Sequence, residues 1–206
     1  DAYNAVGVKD IVVVRGYKKE TVNLPNLTYV DNDDYADTGE LVSLLKALQS
    51  RKGRAQQTLI SYGDVLFNKY IPQSLCQESD DCVIFLDSNW REQTRYARLG
   101  GFAECTVPNS RRAFNVKVYL KHLGNEIPEA NTHGVWMGFL KVSPTAATLI
   151  TTIITDLLAQ PGNRKATIPQ LIQELLTRQQ PIRVLYTVGH WLDINSLEDV
   201  VQAGEF

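Results

Sequence analysis

Thr58-Leu59-Ile60-Ser61-Tyr62-Gly63-Asp64 and, further on, Cys82-Val83-Ile84-Phe85-Leu86-Asp87 decide the fold. Each reads as a short strand that runs into an aspartate. Working outward, Asp10-Ile11-Val12-Val13-Val14-Arg15 is a continuous β-branched run, the pattern of a strand covered on both faces, and Leu27-Thr28-Tyr29-Val30 runs into Asp31. Between the runs the period changes. Leu41, Leu44, Leu45 and Leu48 recur at spacings of three and four, which predicts a helix over residues 37–49 with Asp37 or Thr38 as N-cap. A shorter helix is expected over residues 72–78. Strands alternating with helices at this spacing argue for βαβ units and a mostly parallel sheet.

Beyond Asp87 the pattern loosens. Residues 103–107, 116–122 and 134–142 read as strands between polar loops, with antiparallel pairing open to them. Helices are expected over residues 144–160, opened by Pro144, and 168–178, followed by a strand at 183–187. Ser196 with Asp199 three positions later starts a last helix near the end. Residues 1–7 read as the final turn of a helix capped by Gly7, so the sequence is expected to open in the middle of a domain. No internal repeat or long linker interrupts it, and one α/β domain over residues 1–206 is expected.

Composition narrows the function. The 206 residues are 44% hydrophobic and carry 21 Lys and Arg against 23 Asp and Glu, a net charge of −2. That leaves no basic field for nucleic acid or an anionic membrane. The apolar runs are far too short to span a bilayer. A chain of this length buries roughly 70% of its unfolded surface and needs no disulfide staples. Cys76, Cys82 and Cys105 are an odd number without metal-ligand spacing, so reduced thiols and a cytoplasmic location are expected.

The chemistry points to carboxylates. Asp31, Asp64 and Asp87 each end a strand, and in an open parallel sheet such ends gather at the rim where ligands bind. Grouped there without lysines, they invite a hard cation such as Mg2+. Asp193, after His190-Trp191-Leu192, is a fourth candidate. Each aspartate alone also suits a simple turn. Gly63 before Asp64 would allow close backbone approach. Thr38-Gly39 at a helix start could present N–H groups to a polar ligand, and Arg111-Arg112 could grip a phosphate. The three tryptophans are either packed or pocket-lining. The histidines form neither a zinc site nor a catalytic triad. Both the Gly-x-x-x-x-Gly-Lys-Ser/Thr loop and Gly-x-Gly-x-x-Gly are absent.

Taken in order, Lys9 to Tyr17, Tyr29-Val30-Asp31-Asn32-Asp33-Asp34-Tyr35 with Thr38-Gly39, Ser61-Tyr62-Gly63-Asp64, and Trp191-Leu192-Asp193-Ile194-Asn195-Ser196 with Glu198-Asp199 resemble the sugar-phosphate and choline-phosphate nucleotidyltransferases. Within them the sequence looks closest to the cytidylyltransferases acting on phosphonates, often fused to phosphoenolpyruvate mutase or an aminotransferase. The resemblance implies a Rossmann-like mixed, mostly parallel sheet flanked by helices. It also implies transfer of CMP from CTP to a phosphonate such as 2-aminoethylphosphonate, or to a phosphomonoester, with release of pyrophosphate. By position it assigns Mg2+ to Asp64 and Asp193, nucleotide contacts to Thr38, Gly39 and Gly63, and acceptor contacts to Asp34, Tyr35, Asp87 and Trp136. The family's first strand and its Gly-rich loop with Arg and Lys have no counterpart here, so weak or no turnover is expected of these residues alone. Choline phosphate or a sugar phosphate as acceptor, a metal-dependent glycosyltransferase, and an inactive domain of a fused protein are the competing expectations.

Overall fold

The structure is a computed structural model that describes residues 2–51, 56–92, 101–111 and 115–204. Its strands are β1 (Val12–Arg15), β2 (Thr28–Asp31), β3 (Thr58–Ser61), β4 (Val65–Phe67), β5 (Cys82–Asp87), β6 (Phe102–Cys105), β7 (Val118–Leu123), β8 (Gly134–Val142), β9 (Ile182–Thr187) and β10 (Trp191–Asp193). The helices are α1 (Ala2–Ala5), α2 (Glu40–Ser50), α3 (Tyr70–Gln77), α4 (Pro144–Ala159), α5 (Ile168–Thr177) and α6 (Leu197–Ala203). Gly7, at φ +85°, ends the turn after α1, and Ser196 caps α6 by accepting from the Asp199 N–H, both as the sequence predicts.

A six-stranded sheet in the order β3-β8-β5-β9-β7-β6 forms the middle layer. The continuous apolar character of β5 follows from its place inside this sheet. Cys82, Ile84 and Leu86 pack on the α2, α4 and α5 side, while Val83 and Phe85 pack on the α3 side with Ile71 and Leu75. All six residues of β5 are buried. Side-chain caps open α4 and α5, whereas α2 starts from Gly39 without one, in place of the expected Asp37 or Thr38. Ser143 accepts from the Ala146 N–H ahead of Pro144, and Thr167 and Gln170 form a capping box.

The sheet is mixed, as expected, but its pairings correct the mostly parallel expectation. Strands β3, β5, β6 and β9 share one direction, yet β5–β9 is the parallel pairing among them. The long β8 returns from the rim, where Gly134 packs against the Asp87 carbonyl, and runs antiparallel between β3 and β5. Strand β7 likewise runs against β9 and β6. A second correction concerns β1. Its valine run predicts cover on both faces, but all four residues are half-buried, and among the described residues its strand partner is β2, in parallel.

Helix α2 aligns the two sheets. At its C-terminal end the Arg51 guanidinium donates to the Asp10 carbonyl ahead of β1 (3.0 Å) and to Gln56 ahead of β3 (3.3 Å). At its N-terminal end Glu40 accepts from the Tyr62 hydroxyl just past β3 (2.8 Å), and Thr38 accepts from Asn32 just past β2 (3.0 Å). Strands β1, β2 and β3 therefore all run against α2 and end at one rim. Among the described residues no helix is long and apolar enough to cross a membrane.

One buried cation pins the layers. Lys141, next to last in β8, is 2% exposed and donates to the carbonyls of Glu78 (2.9 Å) and Asp80 (2.7 Å), in the turn between α3 and β5. Lys141→Met keeps the side chain's approximate length but leaves two part-buried acceptors without their donor. It is expected to lower the unfolding free energy by about 2–3 kcal/mol in urea denaturation at unchanged m-value. A change under about 0.5 kcal/mol would contradict this role.

Candidate active site

The site begins where β3 ends. Tyr62, Gly63 and Asp64 carry the chain from β3 into β4, and β10 lies antiparallel on β4 with Asp193 opposite Val65. The Ile194 N–H donates to the Asp64 carbonyl at 2.8 Å, which sets Asp64 and Asp193 beside each other at the end of this ribbon. The two aspartates that the sequence separates by most of its length are thus neighbours at the carboxyl rim.

Electrostatics marks the pair. Burial pushes the Asp193 carboxyl above its usual range; the Asn195 amide that donates to it opposes this, and the charges of Asp64 and Asp199 push it further up. A divalent cation between the two carboxylates would remove that penalty. Among the described residues no set of three or more acidic, His or Cys side chains forms a metal cage. Two carboxylates fit Mg2+, which is usually held by one or two acids plus substrate phosphates and water. A Cβ built on Gly63 would meet nothing within 4 Å, so the backbone beside Asp64 faces open space rather than a crowded turn.

Tyr62 is a site residue that periodicity does not reveal. Its hydroxyl donates to Glu40 (2.8 Å), which also accepts from the Ile168 N–H (2.7 Å), and its ring packs edge-on against Trp136 at 5.6 Å. Burial, then the Glu40 charge, holds that hydroxyl far above its ordinary range, with Asp64 and Asp193 adding to it. Tyr62 therefore stays a neutral donor that anchors the turn carrying Asp64.

Other expected site residues are placed differently. Asp31 is paired with Arg15 (2.9 Å) and Lys19 (3.3 Å), and the Arg15 guanidinium holds its carboxyl below the usual range. It is not part of an uncompensated acidic rim. Asp87 is 1% exposed and accepts from the N–H groups of Asn89 (2.9 Å) and Gly189 (3.3 Å) and from the Trp191 indole (2.9 Å). Its carboxylate is enclosed by protein donors, so it braces the β9–β10 turn rather than meeting an acceptor. Trp136 is fully buried, with its indole donating to the Phe139 carbonyl at 2.8 Å, and is a core residue.

The α2 N-terminus is closed as well. The Gly39 N–H donates to the Arg164 carbonyl (2.7 Å) and the Leu41 N–H to the Ala166 carbonyl (3.1 Å). A Cβ on Gly39 would lie 2.5 Å from the Lys165 carbonyl carbon, so glycine is there for close packing and not for a ligand. Thr38 is held between Asn32 and the Asp34 carbonyl. Asp34 and Tyr35 do lie exposed on the loop after β2, with Tyr35 edge-on to the exposed Tyr17 at 6.1 Å. Arg111 is exposed; Arg112 lies outside the described residues. Cys76, Cys82 and Cys105 are unpaired, and burial pushes the Cys82 and Cys105 thiols up to about 12, which makes them inert.

No family model and no curated protein matches the sequence. Solved structures do resemble the fold. A CTP:phosphocholine cytidylyltransferase from Streptococcus pneumoniae superposes over 99% of this chain and 81% of its own, at 13% identity and a TM-score of 0.66. An inositol-1-phosphate CTP transferase from T. maritima covers 96% of this chain and 76% of its own, at 13% identity and a TM-score of 0.62. A UDP-glucose pyrophosphorylase complexed with UDP-glucose covers 99% and 82%, at 13% identity and a TM-score of 0.70. The chain has the mixed α/β fold, with sheets flanked by helices, that these nucleotidyltransferases share.

Proposed function

We propose that this chain transfers CMP from CTP to a phosphonate such as 2-aminoethylphosphonate, with release of pyrophosphate. The observation that carries this is the Asp64–Asp193 pair, brought together across the β4–β10 ribbon at the carboxyl rim of the sheet. The shared fold supports nucleotidyl transfer, and two of the similar structures are named for CTP. The phosphonate acceptor comes from the resemblance of the quoted motifs to that branch of the family.

Asp64 and Asp193 would hold Mg2+, which when bound supplies charge neutralisation at the triphosphate. The attacking phosphonate oxygen is already ionised, so no strong general base is needed and positioning carries the rate. Tyr62, fixed through Glu40, orients the Asp64 turn, and Asp87 fixes Trp191 two residues before Asp193. On the loop after β2, Asp34 and Tyr35 would offer a carboxylate and an aromatic face to the acceptor's ammonium group. The exposed Tyr17–Tyr35 pair also favours a second acceptor, choline phosphate, because aromatic faces attract a quaternary ammonium.

The test combines Mg2+-dependent CTP binding with pyrophosphate release, using each of the four nucleoside triphosphates against 2-aminoethylphosphonate, phosphocholine and sugar phosphates. CTP is expected to bind at least ten-fold more tightly than the purine nucleotides, and 2-aminoethylphosphonate to give the fastest release. Asp64→Asn and Asp193→Asn should each cost about a hundred-fold or more in turnover. Near-normal turnover of both variants at saturating Mg2+ would overturn the assignment, and faster release with phosphocholine would replace the acceptor.

A further inference from the structure

Strand β6 is joined to the start of β8 by backbone up to its last residue, where a side chain takes over. Phe102 and Ala103 pair with Val135 and Gly134, and the His133 N–H donates to the Ala103 carbonyl at 2.8 Å. Among the described residues this main-chain pairing ends there. The Cys105 N–H, two residues on, faces the same way by the period of two of a strand. It donates to the His133 ring, at Nδ1 and 3.1 Å. That final rung sits beside a bulge, where the β6–β7 register shifts between Glu104 and Cys105.

A ring nitrogen differs from a carbonyl oxygen in one respect, because it can take a proton near neutral pH. As an acceptor Nδ1 must be unprotonated, so the neutral ring carries its hydrogen on Nε2. With a proton on Nδ1, two N–H groups would face each other. Cys105 is 1% exposed, away from water that could replace the lost acceptor. Burial pushes the His133 ring below its ordinary range; the Glu104 charge on β6 opposes this, the Lys121 charge on β7 adds to it, and those two are themselves paired at 3.6 Å. His122, opposite Glu104 on β7, is taken up by Glu126, and Glu129 by Arg91. The Cys105 thiol, pushed up to about 12, does not titrate near neutrality.

The rung holds part of the rim. Strand β6 points the same way as β5, so Cys105 leads onto the carboxyl rim, at the far end of the strand order from β3. There the Val107 carbonyl accepts from the Tyr186 hydroxyl of β9 (2.9 Å), and the Asn109 amide donates to the Ser88 hydroxyl beside Asp87 (2.7 Å). We propose that His133 is a proton-operated clasp: its neutral ring fastens the end of β6 to the start of β8, and protonation from solvent at Nδ1 loosens residues 105–111 from the rim. The unfolded chain takes this proton more readily than the folded one. The rung is therefore complete at neutral pH and is lost as the pH falls through a value below the ordinary histidine one of about 6.5. The inference rests on the β6–β8 junction, not on nucleotidyl transfer, and either can fail without the other.

The experiment is nuclear magnetic resonance on 15N-labelled residues 1–206 from about pH 7.5 to about pH 4.5. Long-range proton–nitrogen spectra are expected to place the His133 hydrogen on Nε2 at neutral pH, and ring protonation below about 6.5. Protection of the Cys105 amide, corrected for its intrinsic exchange rate, should fall at least ten-fold across that step while Ile84 of β5 keeps its own. His133→Asn offers an amide oxygen in place of Nδ1 that takes no proton in this range, and should hold Cys105 protection level with pH. If that variant fails to fold, the native titration decides. Cys105 protection that is independent of pH, or that falls in step with Ile84, would overturn the inference. So would an equal fall in His133→Asn, or a hydrogen on Nδ1 at neutral pH.

Discussion

The carboxylate of Asp87, buried at the end of the central strand β5, takes the indole N–H of Trp191 and the backbone N–H groups of Asn89 and Gly189. Much of the site depends on this one interaction. A carboxyl group in so enclosed a place is costly unless hydrogen-bond partners surround it. Satisfying it forces the chain after β9 to turn back at Gly189 (φ +65°) and His190 (φ +64°), and to lay β10 on β4. Only then does Asp193 come beside Asp64. A residue held by protein donors thus helps to bring the two carboxylates together.

The same rim shows why one residue type takes three roles. Asp31 is matched by Arg15 and Lys19, Asp87 by neutral N–H donors, and Asp193 by one amide against a neighbouring carboxylate. In Asp31 the opposite charges lower the carboxyl's proton affinity. In Asp193 burial and like charge raise it. The one that stays electrostatically uncomfortable is the one suited to a cation, because binding relieves the discomfort instead of breaking an existing bond.

Much of the architecture was legible in the sequence. The runs at β3 and β5, the leucine spacing of α2, Pro144 at the start of α4 and Ser196 ahead of α6 all carry local signals that survive folding. The corrections come from contacts distant in sequence. Nothing near Gly39 announces that the Arg164 and Ala166 carbonyls will close its helix end, and nothing near Asp87 announces Trp191. Strands β4 and β10 escaped notice because three residues are too few to show a period of two, yet that ribbon holds the pair. The valines of β1 mislead in an informative way. They describe a strand covered on both faces, whereas all four residues are only half-buried and, among the described residues, β1 pairs along one edge, with β2.

The pairing of Asp64 with Asp193 is the central claim, and a double-mutant cycle on metal affinity tests it most directly. Mn2+ binding, followed by electron paramagnetic resonance, would be compared across the native protein, Asp64→Asn, Asp193→Asn and the double variant. One shared ion predicts that either single substitution weakens binding at least ten-fold and that the double variant is scarcely weaker than the singles. Native affinity in both single variants, or losses that simply add, would contradict a shared site.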